Sequence, residues 1–343
     1  IFNFCEISMN RIFILLVLVL LLFYINFIQQ KETFADNDNN KNKKEIKTNN
    51  IELTKLLNKH ELFFQYPART EEICNNQNKH KSNYLGIPWA TIIDKSMLPV
   101  MSDEFKKIKI QGENISSCQH IHFKRIIPLA KLLNIKTLYV SHKAKDLDQI
   151  DGIELKPMPI YAVNFEEPDR NRIFKNKDFV NIEREYLFSF IGAVNLPVYM
   201  SKIRKNLYNY RDNYKSKKIL EDTKTWHYQN RVYIEQVKNK ELPKDKEERD
   251  KKNTDNFNKK LLNSRYSLCP SGSGPNTIRF WESLAVGSIP VLLADTLELP
   301  EHNLWNNAIV IIKEDNYKNI EKILLSISKE KENEMRKNCL KIY

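Results

Sequence analysis

Small and capping residues follow a short apolar run in the last third of the chain. Residues 266–275 read YSLCPSGSGP, and a helix-forming segment starts near Asn276. Glycine and serine let backbone amides approach a ligand closely, and the free N–H groups at a helix start bind anions. Asparagine is a favoured N-cap residue. We therefore predict an anion site whose members are Gly272, Ser273, Gly274, Asn276 and Thr277.

Two charged side chains lie on the first turns of the helix that follows. Arg279 offers a planar fork of donors suited to phosphate, and Glu282 lies three residues further on the same face, where a carboxylate can accept from ribose hydroxyls. Each alone is also explained by an ordinary turn or a surface ion pair. Together they predict a nucleotide-diphosphate pocket at the carboxyl edge of a parallel sheet. The motif is neither a P-loop nor a GxGxxG fingerprint.

The first half of the chain alternates apolar runs with helical stretches. Residues 89–94, 137–142 and 153–163 are expected to be strands, and residues 126–133 part of a helix between the first two. Strand–helix–strand alternation favours a parallel α/β sheet.

A second series of the same kind starts at Tyr186. The apolar run 186–193 is typical of a strand buried on both faces, and residues 238–252 read as a solvated loop or frayed helix. The recurrence of Ile320, Ile323, Leu324 and Ile327 marks an amphipathic helix. The other expected elements are a basic helical region at 201–226, a helix at 257–266, and strands at 267–269, 289–293 and 308–312.

A long apolar run near the start predicts a membrane segment. Residues 12–28 just reach the length of a spanning helix, and an uncleaved signal anchor is favoured over a cleaved signal peptide because no small-residue cleavage site follows. Lys/Arg counts leave its orientation open. The expected organisation is a short tail (1–11), the anchor (12–28), a disordered stem (29–50) and two α/β domains (51–180 and 181–343).

Charge and cysteine content restrict the possible partners. The 343 residues carry a formal net charge of +12, but no zinc, helix-turn-helix or RNP pattern accompanies it, so nucleic acid is not an expected partner. A basic protein that binds nucleic acid or anionic surfaces through residues 201–226 is the alternative in that class. Five cysteines are too few for a disulfide scaffold.

Residues 264–300, SRYSLCPSGSGPNTIRFWESLAVGSIPVLLADTLELP, resemble the exostosin family of glycosyltransferases. The upstream LFSFIGA (187–193) and the later Arg204 are similar to a family strand and arginine, while 84–165 is a weaker match. The resemblance implies a GT-B-like α/β fold, with two Rossmann-like domains facing a cleft. The 51–180 domain would lie on the acceptor side, and the 181–343 domain would bind the nucleotide sugar.

The resemblance also implies an activity and a location. The expected activity is inverting transfer from a UDP-sugar to a glycan or glycoprotein acceptor, by a single-pass type II protein of the Golgi or ER membrane with a lumenal catalytic domain. Arg279 would contact the donor diphosphate and Glu282 the ribose. The chain has Ser271 where many members carry Arg, which leaves the donor's identity open. A non-catalytic glycan- or nucleotide-binding relative is the alternative.

Inverting transfer needs a base and a stabilised leaving group. Asp94 and His142 each end a predicted strand and are the base candidates; His120 and His122 lie in the nearby CQHIHF. Asp295 could touch the donor sugar or cap a turn. The glycine-rich turn, Arg279 and Arg204 could stabilise the diphosphate, so no essential metal or other cofactor is expected. Asn114-Ile115-Ser116 is a glycosylation motif that would test lumenal orientation.

Overall fold

The computed structural model describes residues 51–225 and 230–343. The expected anchor at 12–28 and stem at 29–50 lie outside the described residues. The chain divides into two units, 1–54 and 55–343, and the second contains both sheets described below. None of the helices in the described part of the chain combines the length and apolar composition required to cross a bilayer.

The first sheet has four strands in the order β1-β2-β4-β3. β1, β2 and β4 are parallel, and the short β3 runs antiparallel to β4. The strands are β1 (Asn114–Cys118), β2 (Ile135–Val140), β3 (Gln149–Ile150) and β4 (Ile153–Pro157). The helices of this half are α1 (51–59), α2 (Thr70–Asn78), α3 (Trp89–Asp94), α4 (Leu98–Phe105), α5 (Ile127–Leu132) and α6 (Val163–Glu166), with a 3₁₀ turn at Phe123–Ile126.

The prediction of a strand at Trp89–Asp94 is wrong, because these residues form helix α3. A short apolar run that is buried on nearly all sides does not distinguish strand from helix. The strand beside β2 is instead β1. It was not predicted, because its sequence, NISSC, shows no apolar pattern. Its serines are buried and satisfied: the Trp89 Nε1 donates to Ser116 Oγ (2.9 Å), and Ser117 Oγ pairs with the Tyr84 hydroxyl (2.7 Å).

The second sheet has five parallel strands in the order β6-β5-β7-β8-β9. They are β5 (Tyr186–Gly192), β6 (Lys218–Asp222), β7 (Ser264–Pro270), β8 (Ile289–Leu293) and β9 (Val310–Ile311). The helices are α7 (Ile203–Asn209), α8 (Lys244–Leu262), α9 (Ile278–Ala285), α10 (Ile320–Leu325) and α11 (Lys329–Ile342), with a π-helix at Asn230–Val237. Three 3₁₀ turns occupy Arg211–Asn213, Trp305–Asn307 and Glu314–Asn319.

The sequence predicted the second sheet more accurately than the first. The strands expected at 186–193, 267–269 and 289–293 are confirmed, and their apolar side chains form the central core, in which Phe188, Tyr266 and Leu293 are fully buried. The basic region 201–226 contains α7 and also β6, which the prediction of one helical stretch missed. Residues 244–252, expected to be a loop or frayed helix, begin the long α8.

The carboxyl ends of the two sheets meet. Ala144, which follows β2, forms an isolated antiparallel bridge with Leu297, which follows β8. Beside it, the buried Lys143 pairs with Asp148 (2.9 Å) and with Glu298 from the other half. The loops after β1 and β2 therefore lie against the loops after β7 and β8, where parallel α/β folds bind their ligands.

Candidate functional site

The loop after β7 folds back on itself at the meeting point of the two halves. Gly272 N donates to Gly274 O (2.9 Å), and the Ser271 N–H donates to Leu293 O of β8 (2.9 Å). The Gly272 carbonyl accepts from Met200 N (2.9 Å) in the loop after β5. Gly272 and Gly274 are buried and Ser273 is half-buried. This turn is the predicted glycine-rich segment, held by backbone bonds from two sides.

The prediction that Asn276 caps the following helix is wrong. α9 starts at Ile278, and its N-cap residue is Thr277, whose side chain makes no capping bond. Asn276 is buried and ties the halves together instead: its Nδ2 donates to Ser141 O (2.7 Å), and its Oδ1 accepts from Thr277 N (2.8 Å) and Trp281 Nε1 (3.0 Å). Its side chain is therefore occupied by protein partners.

The side chain of Arg204, on α7, contacts the same turn. Its Nε donates to Ser271 O (2.8 Å), and its Nη1 donates to Ala193 O (3.3 Å) and the Tyr199 hydroxyl (3.1 Å). The guanidinium also stacks over the Tyr199 ring, 4.6 Å from its centroid. A methyl group on Gly272 would lie 2.8 Å from Arg204 Nη2, so a larger residue here would require the guanidinium to shift.

Arg279 from α9 lies next to Arg204 at the end of β5. Its Nη2 donates to Ile191 O near the end of β5, and its guanidinium lies over the Phe190 ring, 4.6 Å from the centroid. Burial, together with the nearby charge of Arg204, lowers the pKa of Arg279 to about 10. Burial likewise lowers the pKa of Arg204.

The two guanidinium groups form a cationic pair without an acidic counterpart in hydrogen-bonding contact. Their hydrogen bonds go to carbonyls and one hydroxyl, and neither forms an ion pair with a carboxylate of the described residues. Like charges that are partly removed from solvent repel each other, so an anion that binds between them gains from both. The structure brings Arg204 and Arg279 together, and Arg204 contacts the glycine-rich turn.

Glu282 is buried rather than open at the site. It is 2% exposed, and its Oε1 accepts from Asn164 N (3.0 Å) at the start of α6. The carboxylate therefore holds the segment that connects the two halves. A ribose would have to displace this contact to reach it.

Asp295 lies on the turn after β8 and is exposed. Its Oδ1 accepts from Glu314 N (3.1 Å), so in this structure it caps a turn, one of its two expected roles. Glu314 was not predicted. Its Oε1 accepts from the Ser271 hydroxyl (2.6 Å), which also contacts Ser201 Oγ (3.1 Å), at the first residue of the glycine-rich turn.

Asp94 ends α3 rather than a strand, and both of its oxygens are engaged. Its Oδ2 accepts from Gln65 Nε2 (2.6 Å), and its Oδ1 lies 3.1 Å from His120 Nε2. Tyr233 also hydrogen-bonds this carboxylate. His120 Nδ1 accepts from the His122 backbone N–H (3.0 Å), so the proton of His120 sits on Nε2.

His142 follows β2 and points at the glycine-rich turn. Its Nδ1 is enclosed without a hydrogen-bond partner in the described part of the chain, and a methyl group on Gly274 would overlap it. Burial and the neighbouring His120 and His122 lower the pKa of His142 to about 3. The imidazole is therefore neutral throughout the physiological range.

Two further expectations concern modification and metal. Asn114 is 3% exposed inside β1, and its Nδ2 donates to Leu133 O (3.0 Å) and two neighbouring carbonyls, so the expected glycosylation motif is not accessible in the fold. The four cysteines of the described chain, Cys74, Cys118, Cys269 and Cys339, are free. Among residues 51–225 and 230–343, no group of three or more His, Cys, Asp or Glu side chains is arranged so that it could hold a metal ion.

Two mainly parallel sheets with facing carboxyl ends, and a glycine-rich turn between them, are consistent with a GT-B-like α/β glycosyltransferase fold. Comparison with known proteins agrees with this class. The model of the exostosin GT47 domain matches residues 115–327, which is more than half of the chain, so the chain belongs to the exostosin GT47 family, whose members are glycosyltransferases.

A curated relative supports the same family over a shorter stretch. Over 89 residues the chain is 32% identical to the Exostosin-1 homolog of Caenorhabditis elegans. This match covers 25% of the chain and 23% of the relative, so the chain spans about a quarter of that protein.

Proposed function

We propose that the chain transfers a sugar, with inversion, from a UDP-sugar to a glycan or glycoprotein acceptor. The observation that carries this proposal is the pair of half-buried arginines, Arg204 and Arg279, which meet at the end of β5 beside the glycine-rich turn in a chain of this family. A diphosphate supplies the negative charge that this pair lacks, and a guanidinium fork fits phosphate oxygens.

The reaction follows from the chemistry of a single displacement. The acceptor oxygen attacks the anomeric carbon while the bond from that carbon to the diphosphate oxygen breaks. The leaving UDP takes the electron pair, and its growing negative charge is stabilised by Arg204, Arg279 and backbone amides that are already in position. We expect this transfer to need no metal ion.

The rest of the donor would lie along the second sheet. Gly272, Ser273, Gly274 and Thr277 would contact the phosphates. Glu282 would accept from the ribose if the Asn164 contact opens. The exposed Asp295, linked through Glu314 to Ser271 of the turn, would meet the sugar. The half formed by 51–180 would then carry the acceptor, and the half formed by 181–343 the donor.

We also propose that residues 12–28 anchor the chain as a single-pass type II protein of the Golgi or ER membrane. A glycan-building enzyme of this kind would expose residues 51–343 to the lumen. The support is the apolar run in the sequence. Protease protection of an epitope placed after residue 343 in intact microsomes tests this orientation, and digestion of that epitope would contradict it.

The activity is tested by a donor screen. Thermal shifts with UDP and UDP-sugars would identify the nucleotide, and mass spectrometry of products on a panel of glycoside acceptors would identify transfer. We expect binding of UDP and turnover of at least one UDP-sugar. Donor binding without transfer or donor hydrolysis would instead support a non-catalytic relative of the fold.

A further inference from the structure

The loop after β1 lies directly against the glycine-rich turn. A methyl group on Gly274 would come within 3.0 Å of Ile121 Cγ2, so the two loops touch there. His120 and His122 flank Ile121, and their rings are 5.3 Å apart. This loop therefore places imidazoles from the acceptor-side half beside the proposed donor phosphates.

Two of the three histidines in this region offer no accessible basic atom. His120 uses Nε2 toward Asp94 and Nδ1 toward the His122 backbone. His142 Nδ1 is enclosed against Gly274, and an imidazole whose pKa is near 3 is a weak base for an alcohol. Asp94 is itself engaged by Gln65, His120 and Tyr233.

His122 differs from these groups in the exposure and in the hydrogen bonding of its ring. Its ring is exposed, and no hydrogen bond to either ring nitrogen occurs within the residues the structure describes. The charged and titratable groups that act on it are His120, Arg125 and Asp94. Partial desolvation, then His120 and Arg125, lower the pKa of His122 and Asp94 raises it, and the net shift is downward, so the neutral ring predominates near pH 7.

A hydrogen-bond chain behind His122 holds its backbone. Asp94 holds His120 in one tautomer, and His120 Nδ1 in turn accepts from the His122 backbone. In nucleophilic enzymes a third group commonly orients the general base by a hydrogen bond to its side chain. Here the corresponding hydrogen bond is made to the backbone N–H of His122 and not to its ring. Asp94 and His120 are thus positioning residues.

We propose that His122 is the general base of the glycosyl transfer, an inference that rests on the proposed function. A free ring nitrogen of His122 takes the proton of the acceptor hydroxyl as that oxygen bonds to the anomeric carbon and UDP departs with the electron pair. The proton then passes from the exposed imidazolium to solvent.

The test compares three variants with the parent protein: His122→Ala, His122→Gln and, as a matched control, the exposed His80→Gln outside the cleft. UDP affinity is measured by calorimetry. Turnover is measured as UDP release from UDP-glucose, UDP-galactose, UDP-N-acetylglucosamine and UDP-glucuronic acid, with glycoside acceptors. General bases contribute about 10²–10⁴-fold to rate. We expect at least about 100-fold slower UDP release in both His122 variants, with the UDP Kd unchanged within about twofold.

Chemical rescue separates a base from a structural role. Added imidazole should restore turnover of His122→Ala and leave the parent and His80→Gln unaffected, and the acidic limb of the parent's kcat/KM profile should disappear in His122→Gln. Turnover within about threefold of the parent, or a loss that imidazole does not rescue, overturns the assignment.

The same experiment separates this inference from the proposed function. A parent protein that does not bind UDP overturns the donor site itself. A parent that binds UDP but releases none from any donor overturns both the transfer reaction and its base.

Discussion

Arg204 and Arg279 approach one glycine from two different helices. A methyl group on Gly192, at the end of β5, would lie 3.0 Å from Arg279 Nη2 and 3.8 Å from Arg204 Nη1. Two half-buried positive charges are thereby held close together, with carbonyls as their main partners. Such a pair costs folding free energy unless an anion joins it. This cost is the physical signature of a binding site rather than of a structural ion pair.

Replacement of Arg279 should therefore weaken ligand binding without weakening the fold. In Arg279→Ala, UDP loses a charge-assisted bond worth about 1.5–3 kcal/mol, and we expect its Kd to rise about 10- to 100-fold. The ligand-free melting temperature should stay the same or rise, because repulsion from Arg204 is removed. Calorimetry with UDP and thermal unfolding measure the two effects.

The exposed Arg249 on α8 provides the control for that variant, since its side chain is 69% exposed. Arg249→Ala removes the same charge from the protein and should leave UDP affinity unchanged. Equal UDP affinity in Arg279→Ala and the parent would contradict the donor-site assignment.

Gly274 and His142 should be energetically coupled. In Gly274→Ala the new methyl group overlaps His142 Nδ1 and crowds Ile121, so we expect a loss of about 1–3 kcal/mol in the free energy of unfolding. In the His142→Ala background the clash with the ring is absent, and the same change should cost at least about 0.5 kcal/mol less. Urea unfolding of the four proteins gives the coupling energy, and strict additivity would show that the two residues are not in contact.

The second sheet could be predicted because its strands are buried on both faces, so their sequences are continuous apolar runs. The glycine-rich turn could be predicted because small residues between an apolar run and a helix start favour a tight loop, and Arg279 because it lies in the first turn of that helix. Arg204 came from the family resemblance alone. Its contact with Ser271 joins residues 67 positions apart, which no local pattern records.

The first half was harder to predict for a physical reason. β1 is polar and buried, with its serines satisfied by Trp89 and Tyr84 from distant positions, so it lacks the apolar signature of a strand. Because residues 89–94, which form α3, were predicted to be a strand, Asp94 was expected at a strand end. The burial of Glu282 and the engagement of Glu314 with Ser271 are likewise tertiary contacts that spacing does not reveal.

The folded protein should carry no glycan on Asn114. The Nδ2 atom that a glycan would occupy donates to three carbonyls and is buried. We therefore expect no glycosidase-sensitive mass on the tryptic peptide of Asn114, even when the chain is expressed through the secretory pathway of eukaryotic cells. Asn114→Ala should cost about 1–3 kcal/mol of unfolding free energy, because buried carbonyls lose their donor. A glycan found on correctly folded protein would show that β1 is open in solution, and a bare Asn114 would say nothing about topology.

Glu71 should make the protein less stable as the pH rises from acid to mildly alkaline. Its carboxylate is 1% exposed and accepts from Ala90 N (3.2 Å) and Gln119 N (3.0 Å). Burial outweighs these bonds and raises the pKa of Glu71 from 4.5 to about 8. The folded state thus keeps a proton that the unfolded chain releases above about pH 4.5, and the free energy of unfolding falls between these two pKa values.

Glu71→Gln removes this titration while keeping one acceptor oxygen, so its stability relative to the parent should be higher at pH 8 than at pH 5, by a difference of the order of a few kcal/mol. Urea unfolding at pH 5 and pH 8 measures that difference. Glu72→Gln, one residue along α2 and paired with Arg69 at the surface, is the matched control and should show no such gain. If the two variants respond to pH alike, the Glu71 carboxyl is ionised in the fold, and the amides of Ala90 and Gln119 then outweigh its burial.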